Sequence, residues 1–143
     1  MRAKGNHMTG NELIDQFERG VTPENSFHHA DHVRLAFEYL RRYPALEALA
    51  KFAAALQRFA TAHGKPDLYH ETITWAYLFL IRERMLRGTQ PQTWEEFACA
   101  NPDLLTWERG EGGILTRYYR QDTLASPAAR AAFLLPDKPL ATS

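Results

Sequence analysis

The chain has 143 residues, 45% of them hydrophobic, and its 17 Lys and Arg are matched by 17 Asp and Glu. That length suits one domain with a core large enough to need no staples, and the scattered basic residues, often beside acids as in Arg82-Glu83-Arg84, leave no electrostatic footprint for nucleic acid. Cys99 is the single cysteine and cannot form an internal disulfide, the N-terminus lacks the apolar core of a signal peptide, and the longest apolar run, Trp75 to Ile81, is far short of the roughly 20 residues a membrane span needs; a soluble, cytoplasmic protein with no membrane partner is expected.

Residues 1–10 read as a flexible N-terminus in which Gly5-Asn6-His7-Met8 resemble an expression-vector remnant, so His7 is set aside. Residues 11–143 read as one helical domain. Leu13, Ile14 and Phe17 fall at helical spacing and Gly20 stops a first short helix. Ser26 is placed to cap a second helix whose stripe runs through His29, His32, Val33, Ala36, Phe37, Leu40 and Tyr43 until Pro44. A third, Leu46 to His63, turns Leu49, Ala53, Leu56, Phe59 and Ala60 inward and stops at Gly64. Asp67 is placed to cap a fourth, running to about Arg87 and apolar all round from Ile73 to Ile81, as a central helix should be.

After Gly88 the elements shorten. Thr93-Trp94-Glu95-Glu96 is a capping box, Asn101-Pro102 and Ser126-Pro127 are cap-then-proline helix starts, and Gly110 to Gly113 is a turn. No sustained alternation, Asn-Gly or Asp-Gly step marks a strand. The fold class is all-α: a bundle with an up-down-up core of three longer helices and short N- and C-terminal helices.

Short turns make the first and third of those core helices parallel, so their N-termini share one end of the bundle. Both starts carry histidine: His28-His29-Ala30-Asp31-His32 on one, His70-Glu71-Thr72 on the other. His29 and His32, at i and i+3, lie on one face close enough for two imidazoles to reach one metal at about 2.1 Å. The positive end of a helix favours the neutral ring that ligates metal or acts as a base. His70 supplies a third ligand, and Glu71 a fourth ligand, an orienting group or a general base. Thr74, one turn on, with Thr72 and His28, completes a substrate-facing set, while His63 reaches the same end but is expected to meet the last carbonyls of its own helix.

Each residue also has an ordinary structural use. A histidine on an apolar stripe is usually a hydrogen-bonded core residue, and an acid in a first turn complements the helix dipole. Trp75, Tyr77, Phe79, Trp94 and Trp107 read first as core and its cover. Arg34, Arg117 and Arg130 read as solvated ion pairs before anion anchors. The stretch Phe27 to His32 resembles part of the His-x-His-x-Asp-His signature of metallo-β-lactamases, but phenylalanine holds the first histidine position and no strand precedes it. Nucleotide loops, Gly-x-Ser-x-Gly and Cys-x-x-Cys are missing from the sequence.

Phe27-His28-His29-Ala30-Asp31-His32-Val33-Arg34-Leu35-Ala36, then Tyr69-His70-Glu71-Thr72-Ile73-Thr74, Asn101-Pro102 with Leu104-Leu105, Tyr118-Tyr119, and Leu124-Ala125-Ser126 through Ala129-Arg130 to Pro136-Asp137 resemble a family of small, uncharacterised, all-helical bacterial proteins. Its pattern, aromatic-x-His-x-x-His followed by Tyr-His-Glu-Thr, falls on His29, His32, His70, Glu71 and Thr72, and implies a shared fold and site without naming a reaction. The expected function is a metal-dependent enzyme, hydrolytic or oxygen-using, acting on a small molecule. His29, His32 and His70 would hold a divalent transition metal (Fe, Zn, Mn, Ni or Cu), with Glu71 catalytic. The alternatives are a metal-free module binding a small molecule through the same cluster, and a structural or interaction protein whose buried polar network supports a homodimer.

Overall fold

In the computed structural model the helices begin and end where the local chemistry demands, and residues 8–23, 25, 27–88, 92–107 and 113–139 are described. Helix α1, Gly10–Glu18, is closed by a reciprocal box: the Thr9 hydroxyl accepts from the Glu12 N–H at 3.1 Å and the Glu12 carboxylate from the Thr9 N–H at 2.9 Å. The expected N-terminal boundary at residue 10 therefore falls inside this start, and the Met8 carbonyl accepts from Arg34 at 2.7 Å. His7 and Ser26 lie outside the described residues, as do positions 110–112 of the expected glycine turn.

Three long helices follow: α2, His29–Arg42; α3, Ala45–Ala62; and α4, Glu71–Arg87. Pro44 separates α2 from α3, because proline cannot continue a helix. After α3 the chain reverses at Gly64, whose φ of +72° lies in the left-handed region that glycine enters without strain. A short 3₁₀ turn, Pro66–Leu68, leads into α4. The C-terminal third adds α5, Trp94–Ala100; α6, Pro102–Leu105; a 3₁₀ turn, Gly113–Arg117; α7, Gln121–Leu124; and α8, Pro127–Ala131. Thr93 and Glu96 form the expected box, and Ser126 caps α8 by accepting from the Ala129 N–H. Asn101 departs from expectation: its amide donates to the Phe97 carbonyl and its oxygen accepts from Arg84, so it ties α5 to α4 instead of capping α6. Among the described residues there is no strand, and no helix is long and apolar enough to cross a membrane.

Helices α2, α3 and α4 pack on one another, and their inward side chains form the core: Val33, Leu35 and Phe37 with Phe52, Leu56, Leu78 and Ile81, all buried. Each contributes about 1.5–3 kcal/mol by leaving water. Two details differ from the periodicity. On α3 the buried position is Phe52, while Ala53 is only half-buried. On α2 burial extends to Leu35, Glu38 and Tyr39, because α1, α5 and α6 cover it as well as α3 and α4. Helix α2 thus shares the central position expected of α4 alone. Its buried Glu38 carboxylate is held by Arg42 at 2.7 Å and Arg34 at 3.5 Å, and Arg42 also reaches Asn11, which fastens α1 at the end remote from the histidines.

Candidate functional site

The α2 start is built around an aromatic prop. His28 occupies the cap position and its N–H donates to the Asp31 carboxylate at 2.9 Å, while its ring stands in solvent, three-quarters exposed, 3.7 Å from that carboxylate. The helix therefore begins at His29, three residues later than a Ser26 cap would have it. Phe27, just before the cap, is buried and stacks on His32, one turn into the helix, with ring centroids 4.2 Å apart. This is the position pair of a hydrophobic staple, with an imidazole in place of the usual aliphatic group.

The α4 start uses its histidine differently. His70, not Asp67, is the cap, and Asp67 lies in the preceding 3₁₀ turn. The Nδ1 of His70 accepts from the Ile73 N–H at 3.1 Å, so Nε2 carries the proton and donates to the Leu124 carbonyl at 2.7 Å. Both ring nitrogens are occupied, which leaves no lone pair for a metal. Thr72 is fully buried and works for the fold: its hydroxyl donates to the Ala132 carbonyl at 2.8 Å and accepts from the Leu134 N–H at 3.0 Å. Glu71 accepts the Tyr69 hydroxyl at 2.6 Å. Burial, reinforced by that carboxylate, raises the Tyr69 pKa, so the phenol stays protonated.

Between these two starts lies a cavity of about 500 Å³, with most of its wall apolar. Phe27, His29, His32 and Val33 come from α2 and its approach, Phe52, Leu56, Phe59, Ala60 and His63 from α3, and Tyr69, His70, Ile73, Thr74, Tyr77 and Ile81 from α4 and its approach. Trp107, Lys65, Leu68 and Arg130 complete it. The Thr74 hydroxyl donates back to the His70 carbonyl at 2.7 Å and keeps its lone pairs for the cavity. On the Trp107 side, that indole lies 4.7 Å from the His29 ring, and Tyr77 meets His29 edge-on at 5.1 Å. Gly113 is required there: its φ is +51°, and a Cβ would come within 2.6 Å of the Tyr77 hydroxyl.

The cavity's imidazoles are neutral at pH 7. Burial pushes His32 down to about 3, with a smaller contribution from His29, and burial also lowers His29. The Nε2–H of His29 donates to the Leu104 carbonyl at 2.9 Å, leaving Nδ1 as an acceptor. His32 has no hydrogen-bond partner among the described residues, and the space its ring meets is the cavity.

The expected site residues thus divide. His29, His32, His70 and Thr74 share one cavity wall; Glu71, Thr72 and His28 are not on it. The His29 and His32 ring centroids are 6.5 Å apart, and among the described residues no three His, Cys, Asp or Glu side chains are grouped to hold a metal ion. The three-histidine ligation expected from the sequence lacks the grouping it needs, chiefly because His70 is spent on capping. His63, Lys65, Tyr69 and Arg130 line the cavity although the sequence pattern gave them little weight. The signal for His63 was present: Phe52, Leu56, Phe59, Ala60 and His63 fall on one helical stripe that continues to the end of α3.

Comparison of the chain with family models, with curated proteins and with solved structures gives no match. The geometry of the cavity is therefore what carries a functional reading.

Proposed function

We propose that the protein binds a small, predominantly apolar molecule in the cavity between the α2 and α4 starts, without a metal, through neutral imidazoles. The observation that carries the reading is His32. A deeply placed polar ring normally finds a hydrogen-bond partner, and this one faces an enclosed space with none among the described residues. A ligand hydroxyl or carbonyl in that space would supply the missing bond. The rest of the wall fits the usual anatomy of ligand pockets: a few hundred cubic ångströms, mostly apolar, with a few polar groups that fix orientation. His29 Nδ1 and the Thr74 hydroxyl are the other such groups. A metal-dependent reaction would need a third donor beside His29 and His32, whereas the metal-free reading uses the side chains as they stand.

The test is calorimetric titration with 1-decanol in the presence of a chelator. Saturable binding at one site is expected, weakened about tenfold in His32→Leu, which keeps the volume but removes the hydrogen bond. Ala60→Trp, which fills the cavity from α3, should abolish it. Absence of saturable binding, or binding that appears only on adding a transition metal, would overturn the proposal.

A further inference from the structure

We infer that the ligand is a monocarboxylate with an apolar body, its head group held by Lys65 and Arg130 and its body lying against the aromatic wall. The inference deepens the proposed function and rests on it. It comes from the sign of the charges: two ionic side chains line the cavity, both are cations, and no carboxylate does. A cavity whose wall is otherwise apolar and neutral strengthens the field of such a pair, because low-dielectric walls focus it.

The two cations sit on one stretch of the structure. Lys65 follows the glycine turn after α3, and its N–H donates to the Ala60 carbonyl at 2.8 Å, which fixes its backbone. Arg130, on α8, donates to the Asp67 carbonyl at 2.6 Å and more weakly to the Tyr69 carbonyl at 3.4 Å. Those bonds hold the guanidinium against the same connection that carries Lys65. A guanidinium so anchored is suited to one planar carboxylate. Asp67 and Glu71 belong to this stretch, but neither lines the cavity, and Glu71 accepts the Tyr69 hydroxyl. The imidazoles accept or donate without adding charge, so they suit the polar atoms of a neutral body. A ten-carbon chain with its head group fits a cavity of this size at ordinary packing density.

The experiment compares decanoate with 1-decanol on the full chain by titration calorimetry at pH 7 and low ionic strength. Decanoate is expected to bind at least tenfold more tightly, an advantage that shrinks as salt is added. Lys65→Met should weaken decanoate about fivefold and leave 1-decanol unchanged; Arg130→Met should do the same for a larger factor. Because Arg130 also ties α8 to the connection, Lys65→Met and the salt series carry the result if Arg130→Met does not fold. Should 1-decanol bind as tightly as decanoate, the anion inference falls while the cavity reading stands; should neither bind, both fall. Decyl phosphate binding tenfold more tightly than decanoate would overturn the carboxylate assignment.

Discussion

Helices α2 and α4 are approached through the same two residues, an aromatic and then a histidine, yet the two starts put them to opposite use. At α2 the capping His28 points into solvent, Phe27 is buried as a prop, and the imidazole that meets the cavity is His32, one turn in. At α4 the capping His70 is buried, with both nitrogens spent on Ile73 and Leu124, and the aromatic Tyr69 is the residue with a polar group beside the cavity. What differs is cover. The C-terminal segment lies across the α4 start, where Leu124 offers its carbonyl and α8 packs on the helix. A buried cap must satisfy every polar atom it has, whereas one in water need not.

The largest break in this comparison comes from His70→Ala. It removes the cap, worth about 1 kcal/mol, and leaves the Leu124 carbonyl without its donor, worth about 1–3 kcal/mol more. A loss of about 3 kcal/mol in denaturant unfolding is expected, with His70→Asn recovering the cap alone. A loss below about 1 kcal/mol for His70→Ala would show that the two bonds do not hold the α4 start.

His32 sharpens the contrast through pH. Its folded pKa, about 3, is depressed from an ordinary 6.5 by burial, so the unfolded chain binds more protons between those values. The stability it contributes is fully present above about pH 6.5 and is lost as pH falls toward 3, at about 1.4 kcal/mol per pH unit. From pH 6.5 to 5 that is about 2 kcal/mol. The difference between the unfolding free energies of wild type and His32→Leu, taken at each pH, cancels the carboxylates and should show this slope. A flat difference would mean the ring is not held neutral.

Thr72→Val tests the cover itself. The substitution removes a donor to Ala132 and an acceptor for Leu134, so a loss of about 1–2 kcal/mol is expected. Faster amide exchange at Leu134 than at the α2 positions would locate the loosening in the C-terminal segment.

Much of this was legible in the sequence because it depends on local rules. Gly64, Pro44, the Thr93 box and the Ser126 cap punctuate the chain whatever it packs against. The meeting of His29, His32 and His70 at one cavity follows from short turns between long helices. Hydrogen-bond partners were not legible, since the Leu124 carbonyl lies 54 residues from His70 and no spacing announces it. The cap positions were misread for a related reason: histidine caps weakly by the usual rankings, and it serves at α4 because the C-terminal segment excludes water. Nor can periodicity tell a filled core from a cavity wall. Phe52, Leu56 and Phe59 read as core on α3, and only the packing of three helices shows that their tips line an enclosed space.

The smallest expected effect completes the comparison at the α2 start. His28 is three-quarters exposed, and the hydrogen bond that closes this start comes from its backbone N–H to Asp31, which any residue but proline retains. His28→Ala should therefore change stability by less than about 0.5 kcal/mol, and it should leave 1-decanol affinity unaltered because the ring does not reach the cavity. Asp31→Ala, which removes the acceptor, should cost about 1 kcal/mol at the same helix start. If His28→Ala instead matched His70→Ala, the outward imidazole would hold its helix start as firmly as the buried one does, and cover could no longer explain why one histidine of the pair serves the fold and the other does not.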